Sequence, residues 1–386
     1  MLAHGQVLSP GLCRCCCLVV CAGLLLSLQA ELCAPGGPAP TGQAPDSHKA
    51  EYHPTLGSTR ESAGLQESPD NQNFQQMANA TMVTEFLLLG SPDGWDMSFL
   101  YFTVFPMTYL GTLLGNLLIV TVTTADKHLD TPMYFFIRNL SILDMCYISI
   151  TFPNACVNSL TGNRAISVAC CATQVFLVIF CACVELLFLT IMAWDSYVAI
   201  CQPLQYPLIM NPQISVRMTL ATLVSGLLYA GVHTGNTFWL SFCHSNVVHQ
   251  FFCDVPSLLR LSCSDTTGNM VLFFVSAVAI GGGCFTLIAM SYFRIFSDVL
   301  KFPTRAPGKA FSTCTPHILM VSVFFSSGAG VYLRSSETSD TIQDMVLSAF
   351  YTMVPPFLNP LIYSLRNQQV KDAVRRVMGT LLFSGK

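Results

Sequence analysis

SVACCATQVFLVIFCACVELLFLTIMA, Ser167 to Ala193, carries a single charged side chain, Glu185, in an otherwise apolar or small run. As a helix rising about 1.5 Å per residue it would be about 40 Å long, enough to cross a hydrocarbon layer of about 30 Å. An open strand of this composition would leave its backbone groups unsatisfied in lipid, so a membrane helix is the reading that remains. Six further apolar segments have comparable length: Met97–Thr124, Met133–Asn158, Met218–Phe238, Asn269–Phe293, Ala310–Leu333 and Met345–Leu365. Together they predict an all-α membrane protein, a seven-transmembrane helix bundle over residues 97–365. Composition agrees: 52% of the 386 residues are hydrophobic and 10% charged, with a mean hydropathy of +0.54, where a soluble domain carries about 25% charged residues.

The flanks differ in character. Cys15–Leu28 is an uncharged apolar run after Arg14, too short for a span. It reads as a signal-peptide h-region, with cleavage after Ala30 or Ala34, or as an upstream extension without a structural role, so residues 1–34 form one unit. Residues 35–96 read as a largely disordered extracellular segment, since Pro35–Gln76 is rich in Pro, Gly, Ser and Gln. Residues 366–386 form a tail that opens on the amphipathic basic stretch RNQQVKDAVRRV, suited to lie along the inner membrane surface.

Basic residues set the orientation. The tail's side of the membrane carries Lys127, Arg138, Arg217, Arg294, Lys301, Arg305, Lys309, Arg366, Lys371, Arg375, Arg376 and Lys386, whereas the short loops opposite carry Arg164, Arg260 and Arg334. This predicts a cytoplasmic C-terminus and an extracellular N-terminus in a multi-pass plasma-membrane protein bounded by lipid. Asn79-Ala80-Thr81 is then an extracellular glycosylation sequon, while the sequon at Asn139 falls inside the second span and should be unmodified. The net charge of -3 argues against a nucleic-acid partner. The eighteen cysteines do not form two CxxC pairs at zinc spacing, so no structural metal is expected.

Receptor, transporter and channel all use such bundles. The halves show no inverted repeat or paired broken helices, which transporters favour. What stands out is charge at membrane depth: Asp144 in the second span and Glu185 in the third. An ionisable group there costs about 2.5–3.5 kcal/mol on insertion scales. A cation held between the two carboxylates would explain both; a protonated carboxyl hydrogen-bonded to its neighbours is the plainer alternative. Asn116 and Asn359 can join the same network. Outside the spans, Cys243, Cys253 and Cys263 follow the fourth segment and Cys170 and Cys171 begin the third, so bridges are expected on the oxidising side. Cys146, Cys156, Cys181, Cys183 and Cys284 read as small core residues. No nucleophile–base or metal motif stands at a membrane face, which disfavours an enzyme.

GNLLIV (Gly115–Val120), PMYFFIRNLSILD (Pro132–Asp144), MAWDSYVAICQPLQYP (Met192–Pro207), SYFRIF (Ser291–Phe296), KAFSTCTPH (Lys309–His317) and PFLNPLIYSLRN (Pro356–Asn367) resemble the signature blocks of vertebrate odorant receptors, rhodopsin-like G-protein-coupled receptors, here of the class II, tetrapod type. The blocks keep that family's order and spacing across Met77–Lys386, and MANATMVTEFLLLG resembles a typical family start, which makes residues 1–76 an addition. The resemblance implies Cys171–Cys253 and Cys243–Cys263 bridges, with Cys170 where the family has a small residue. It implies a sodium ion at Asp144 and Glu185, and a switch at Asn359, Pro360 and Tyr363. It also implies a small, mostly apolar odorant as ligand, and a stimulatory, cAMP-raising heterotrimeric G protein as partner. The ligand pocket would be lined by Val178, Ile179, Ala182, Cys183, Ser276, Ile280, Phe325, Gly328 and Tyr332, with Ser276 and Tyr332 as polar handles. One departure bears on coupling. Where the family has Asp-Arg-Tyr, this chain has Asp195-Ser196-Tyr197. The arginine would pair with the aspartate at rest and reach the G protein and Tyr292 on activation. Without it, Asp195 is expected to draw on water or a nearby basic group such as Arg217 or Lys301, and the main rival reading is a receptor-shaped chain that no longer signals.

Overall fold

Each long apolar segment forms a helix, because in lipid only the intrasegment ladder satisfies every backbone N–H and C=O. The computed structural model describes residues 83, 85–88, 103–161, 165–243, 246–301, 307–332, 341–366 and 370–376. Its seven long helices are α1 (Phe105–Ala125), α2 (Pro132–Thr161), α3 (Val168–Cys201), α4 (Pro212–Phe238), α5 (Thr267–Lys301), α6 (Pro307–Tyr332) and α7 (Thr341–Arg366). By length and composition α1 to α5 can each cross a membrane, and α6 carries a shorter apolar stretch, Cys314–Ser326.

Local chemistry starts these helices. Ser167 Oγ accepts from the Cys170 N–H at 3.1 Å at the head of α3, and Asn211 Oδ1 accepts from the Ile214 N–H at 2.9 Å at the head of α4. Pro212 follows that cap in the first turn, where its missing N–H is no loss.

The bundle packs a largely apolar core around a few buried polar groups, and its outer face is apolar as well. Asn116, Asp144, Glu185 and Asn359 are buried, while Leu114, Leu117, Leu228, Phe274, Phe285 and Phe293 face outward. Two glycines permit the closest helix approaches. A Cβ at Gly115 would stand 2.9 Å from Pro360 Cγ, and one at Gly226 would stand 2.6 Å from Val184 Cγ2, so α1 meets α7 and α3 meets α4 nearly backbone to side chain.

One end of the bundle carries a small sheet, an addition to the all-α expectation. β1 (Glu85–Leu88) lies between β2 (Ala165–Ser167) and β3 (Val247–Val248), antiparallel to the first and parallel to the second. Phe86 and Leu88 point inward and are almost fully buried among Ile166, Val175, Val248 and Leu258. Thus four residues of the segment read as largely disordered are an ordered strand, because alternate positions find an apolar seat. At the opposite end, residues 370–376 are helical and bury Val370 and Ala373, the apolar face of the expected amphipathic helix. Arg376 Nε bonds Asp126 Oδ2 at 3.1 Å, tying that helix to the end of α1.

Candidate functional site

Helices α2, α3, α4, α5, α6 and α7 surround a cavity of about 250 Å³. Val178, Ile179, Ala182 and Cys183 supply its α3 wall and Ile280 part of its α5 wall. These five are brought together as the sequence reading expected. Ser276 does not line the cavity: its Oγ is turned toward α4, where it meets His233 Nε2 at 3.0 Å and the Tyr229 hydroxyl at 3.3 Å. Phe325 does not line it either. Its ring packs on Phe285 at 5.3 Å, and the neighbouring Phe324 faces the cavity. Gly328 lies in α6 and Tyr332 ends it, with their side chains outside the described residues.

The roof of the cavity is the loop between α4 and α5. Cys171 and Cys253 are bonded, both fully buried, and Cys253, Asp254, Val255 and Pro256 reach the cavity. Cys243 and Cys263 form a second bridge that closes the base of the same loop. Gln174 fastens the roof from below, its Oε1 accepting from the Cys253 N–H at 2.9 Å while its Nε2 donates to the Ile150 carbonyl at 3.2 Å. Cys170 is also disulfide-bonded. Asp254 titrates high, at about 6 against an ordinary 3.8, chiefly because burial penalises its charged form; hydrogen bonds from Ser257 and the charge of Arg260 only partly offset this.

Below the cavity lies the polar centre. Asn359 Nδ2 donates to Asp144 Oδ2 at 2.8 Å, and the same amide hydrogen-bonds Glu185, which is both the floor of the cavity and the second carboxylate. Asp144 Oδ1 and Asn116 Oδ1 are buried without a hydrogen-bond partner. Oxygens of this kind are the donors that small hard cations take, so the residues present fit a sodium ion. Asn139, in the second sequon, is fully buried.

At the far end of α3, Ser196 Oγ donates back to the Met192 carbonyl at 3.0 Å. Its neighbour Asp195 accepts from the Tyr206 hydroxyl at 3.0 Å, so a neutral phenol from the short helix Tyr206–Ile209 takes the place expected of water, Arg217 or Lys301. A cavity of about 30 Å³ opens beside Ser196, lined also by Met133, Ile137, Met192, Pro316, His317 and Tyr363. Tyr292 on α5 reaches His317 Nδ1 on α6 at 2.6 Å across this region. Tyr197 is half-buried with its ring 5.4 Å from Trp194. Pro360 lies in α7 one residue beyond Asn359, and the side chain of Asn79 is outside the described residues. Sequence reasoning missed His233, His317, Tyr229 and Tyr206. A histidine inside an apolar span is a usable signal, but Tyr206 and Tyr229 carry none before packing is known.

Comparison with known proteins gives one answer. The pattern of the family described as Olfactory receptor matches residues 105–380. Human Olfactory receptor 14C36 is 60% identical over 309 residues, covering 80% of this chain and 99% of its own. Human Olfactory receptor 14A16 is 46% identical over 299 residues, covering 77% and 96%. The crystal structure of squid rhodopsin superposes with a TM-score of 0.59 at 18% identity, covering 76% of this chain and 88% of that one, and so shares the fold. With seven long helices among its described residues, charged and amide groups buried at their centre and relatives matched almost end to end, this chain belongs to the olfactory receptor family of rhodopsin-like G-protein-coupled receptors, multi-pass plasma-membrane proteins that are not enzymes.

Proposed function

We propose that the chain binds small, mostly apolar odorants in the 250 Å³ cavity and couples, weakly or not at all, to a stimulatory cAMP-raising G protein. The observation that carries the ligand reading is the lining: aliphatic and aromatic side chains from α3, α5 and α6 under a disulfide-pinned roof. Such a wall gains most from burying an apolar molecule and offers few polar groups to orient it. The sheet end faces outward, the helix at 370–376 lies at the cytoplasmic surface, and lipid contacts the outward phenylalanines and leucines. Asp144 and Glu185 would hold a sodium ion, with Asn116 and Asn359 in the same polar network, a reading supported by the unpartnered oxygens of Asp144 and Asn116. Agonist binding shifts a pre-existing two-state equilibrium.

Impaired coupling is supported by Ser196. A serine that donates to its own helix has neither the charge nor the reach of a guanidinium fork, and Asp195 is already held by Tyr206. The test is an odorant panel applied to cells with a cAMP reporter, with the parent chain and Ser196→Arg compared at matched surface expression. Ligands found with the arginine variant should signal weakly through the parent. A parent that signals as strongly as the variant refutes the coupling reading, and a panel that elicits nothing from either refutes the ligand reading.

A further inference from the structure

Tyr229 and His233 stand one helical turn apart on α4, with ring centroids 4.3 Å apart. His233 is buried, braced edge-on by Phe273 at 5.2 Å, and both Tyr229 and Phe273 line the cavity. Ser276 on α5 joins them. A serine hydroxyl has one proton to give and two lone pairs to receive with. Ser276 Oγ lies 3.0 Å from the Phe273 carbonyl, to which it can donate, 3.0 Å from His233 Nε2 and 3.3 Å from the Tyr229 hydroxyl; with its one proton on the carbonyl, both neighbours donate to it. The last contact is long for a hydroxyl pair, which settles near about 2.7–2.8 Å. Tyr229 is therefore a neutral phenol, loosely held at the wall of an apolar cavity and with a proton it can give. Among the carboxylates on that wall, Glu185 is engaged by Asn359, and Asp254 by Ser257 through one oxygen while its Oδ1 has no hydrogen-bond partner; as acceptors when charged, neither supplies the proton that the Tyr229 phenol can give.

We propose that Tyr229 is a specificity-determining residue of the cavity, positioned by Ser276 and His233 to donate its hydroxyl proton to the ligand. The ligand class is then an apolar molecule carrying a hydrogen-bond acceptor, a ketone, aldehyde or ester. This rests on the reading of the cavity as the odorant site. An incoming carbonyl at ordinary distance replaces the long contact to Ser276, while Ser276 keeps its contacts with His233 and the Phe273 carbonyl, so no buried group is orphaned by binding. A ligand with no acceptor gains nothing at Tyr229.

The experiment uses the full chain in lipid nanodiscs and reads the ligand-induced rise of the unfolding midpoint, which needs no signalling. The probes are matched pairs of a carbonyl compound and its hydrocarbon isostere, 2-octanone with 2-methyl-1-octene, and the corresponding aldehyde and ester pairs. At least one carbonyl probe should bind about tenfold more tightly than its isostere, the ratio one good hydrogen bond supplies. Tyr229→Phe should bring that ratio close to one and leave hydrocarbon affinity unchanged; Ser276→Ala, which frees the phenol from its tether, should lower the ratio without abolishing it. Equal losses for both members of a pair would mark Tyr229 as mere glue between α4 and α5 and overturn the proposal. So would a parent that does not distinguish the members of any pair. A parent that binds no probe at all overturns the odorant-site reading as well, an outcome distinct from the other two.

Discussion

Asn116 Nδ2 donates to the carbonyl of Pro356 at 3.0 Å, linking α1 to the middle of α7. That carbonyl would ordinarily accept from the residue four places on, which is Pro360 and has no N–H. The amide of one helix therefore repairs the ladder of another. The same Nδ2 also serves the Thr112 carbonyl at 3.0 Å.

Asn116→Leu should cost about 1–3 kcal/mol, the usual penalty for orphaning a buried acceptor. Asn116→Asp, which keeps the shape and loses the donor, should cost as much. Thermal unfolding of purified protein checks this, and a midpoint unchanged in either variant would show that α7 satisfies Pro356 by other means.

The two bridges of the loop between α4 and α5 should contribute unequally. Cys171–Cys253 spans 82 residues and Cys243–Cys263 spans 20. On chain entropy alone the longer loop is worth about 1 kcal/mol more, within a usual range of about 2–5 kcal/mol for a native bridge. Cys171→Ser should accordingly reduce surface expression more than Cys243→Ser, measured by antibody labelling of intact cells. Equal losses would show that strain or residual structure outweighs loop length.

Tyr206 and Ser196 should be energetically coupled through Asp195. In the parent, Tyr206→Phe removes the donor to a buried carboxylate and should cost about 1 kcal/mol or more. In the Ser196→Arg background the guanidinium takes over that carboxylate, and the same substitution should cost distinctly less. A double-mutant cycle in unfolding free energy measures the difference; additive costs would remove Tyr206 from the switch.

Acid should stabilise the roof of the cavity. Burial lifts Asp254 from an ordinary 3.8 to about 6, so between those values the folded chain holds a proton that the unfolded chain has lost. Stability from this group therefore rises as pH falls from 7 through 6 toward 4, and is absent above it. Asp254→Asn should raise the midpoint at pH 7.5 and flatten the dependence below it. A parent whose midpoint does not rise between pH 7 and 5.5 relative to the asparagine variant would contradict the assignment.

Hydropathy reports contact with lipid, and it located the middle of every span and the polar centre of Asp144, Glu185, Asn116 and Asn359, whose charge or amide is conspicuous in an apolar run. It did not locate the ends. α5 continues from Phe293 to Lys301 because a helix leaving the membrane still satisfies its own backbone. Nor could it fix rotation. Successive residues on a helix point about 100° apart, so whether Phe324 or Phe325 faces the cavity is decided by which ring Phe285 accepts. Ser276 reads in the sequence as a polar handle of the pocket, whereas its hydroxyl meets His233 and Tyr229, neighbours more than forty residues away that a sequence pattern does not reveal. The four residues of β1 are too few for a period to declare itself.

The sheet at the roof imposes an order of assembly. Its middle strand, Glu85–Leu88, is synthesised before either neighbour, and β2 and β3 do not pair with each other. The N-terminal strand can pair with β2 once α1 and α2 are in place, but β3 arrives only after α3, α4 and the following loop, and only then can the three meet. Closure of the roof is thus a late event in biogenesis that reports on everything before it. A chain with one helix mis-threaded would display a dangling strand and two unjoined loops to the folding machinery of the compartment that receives them.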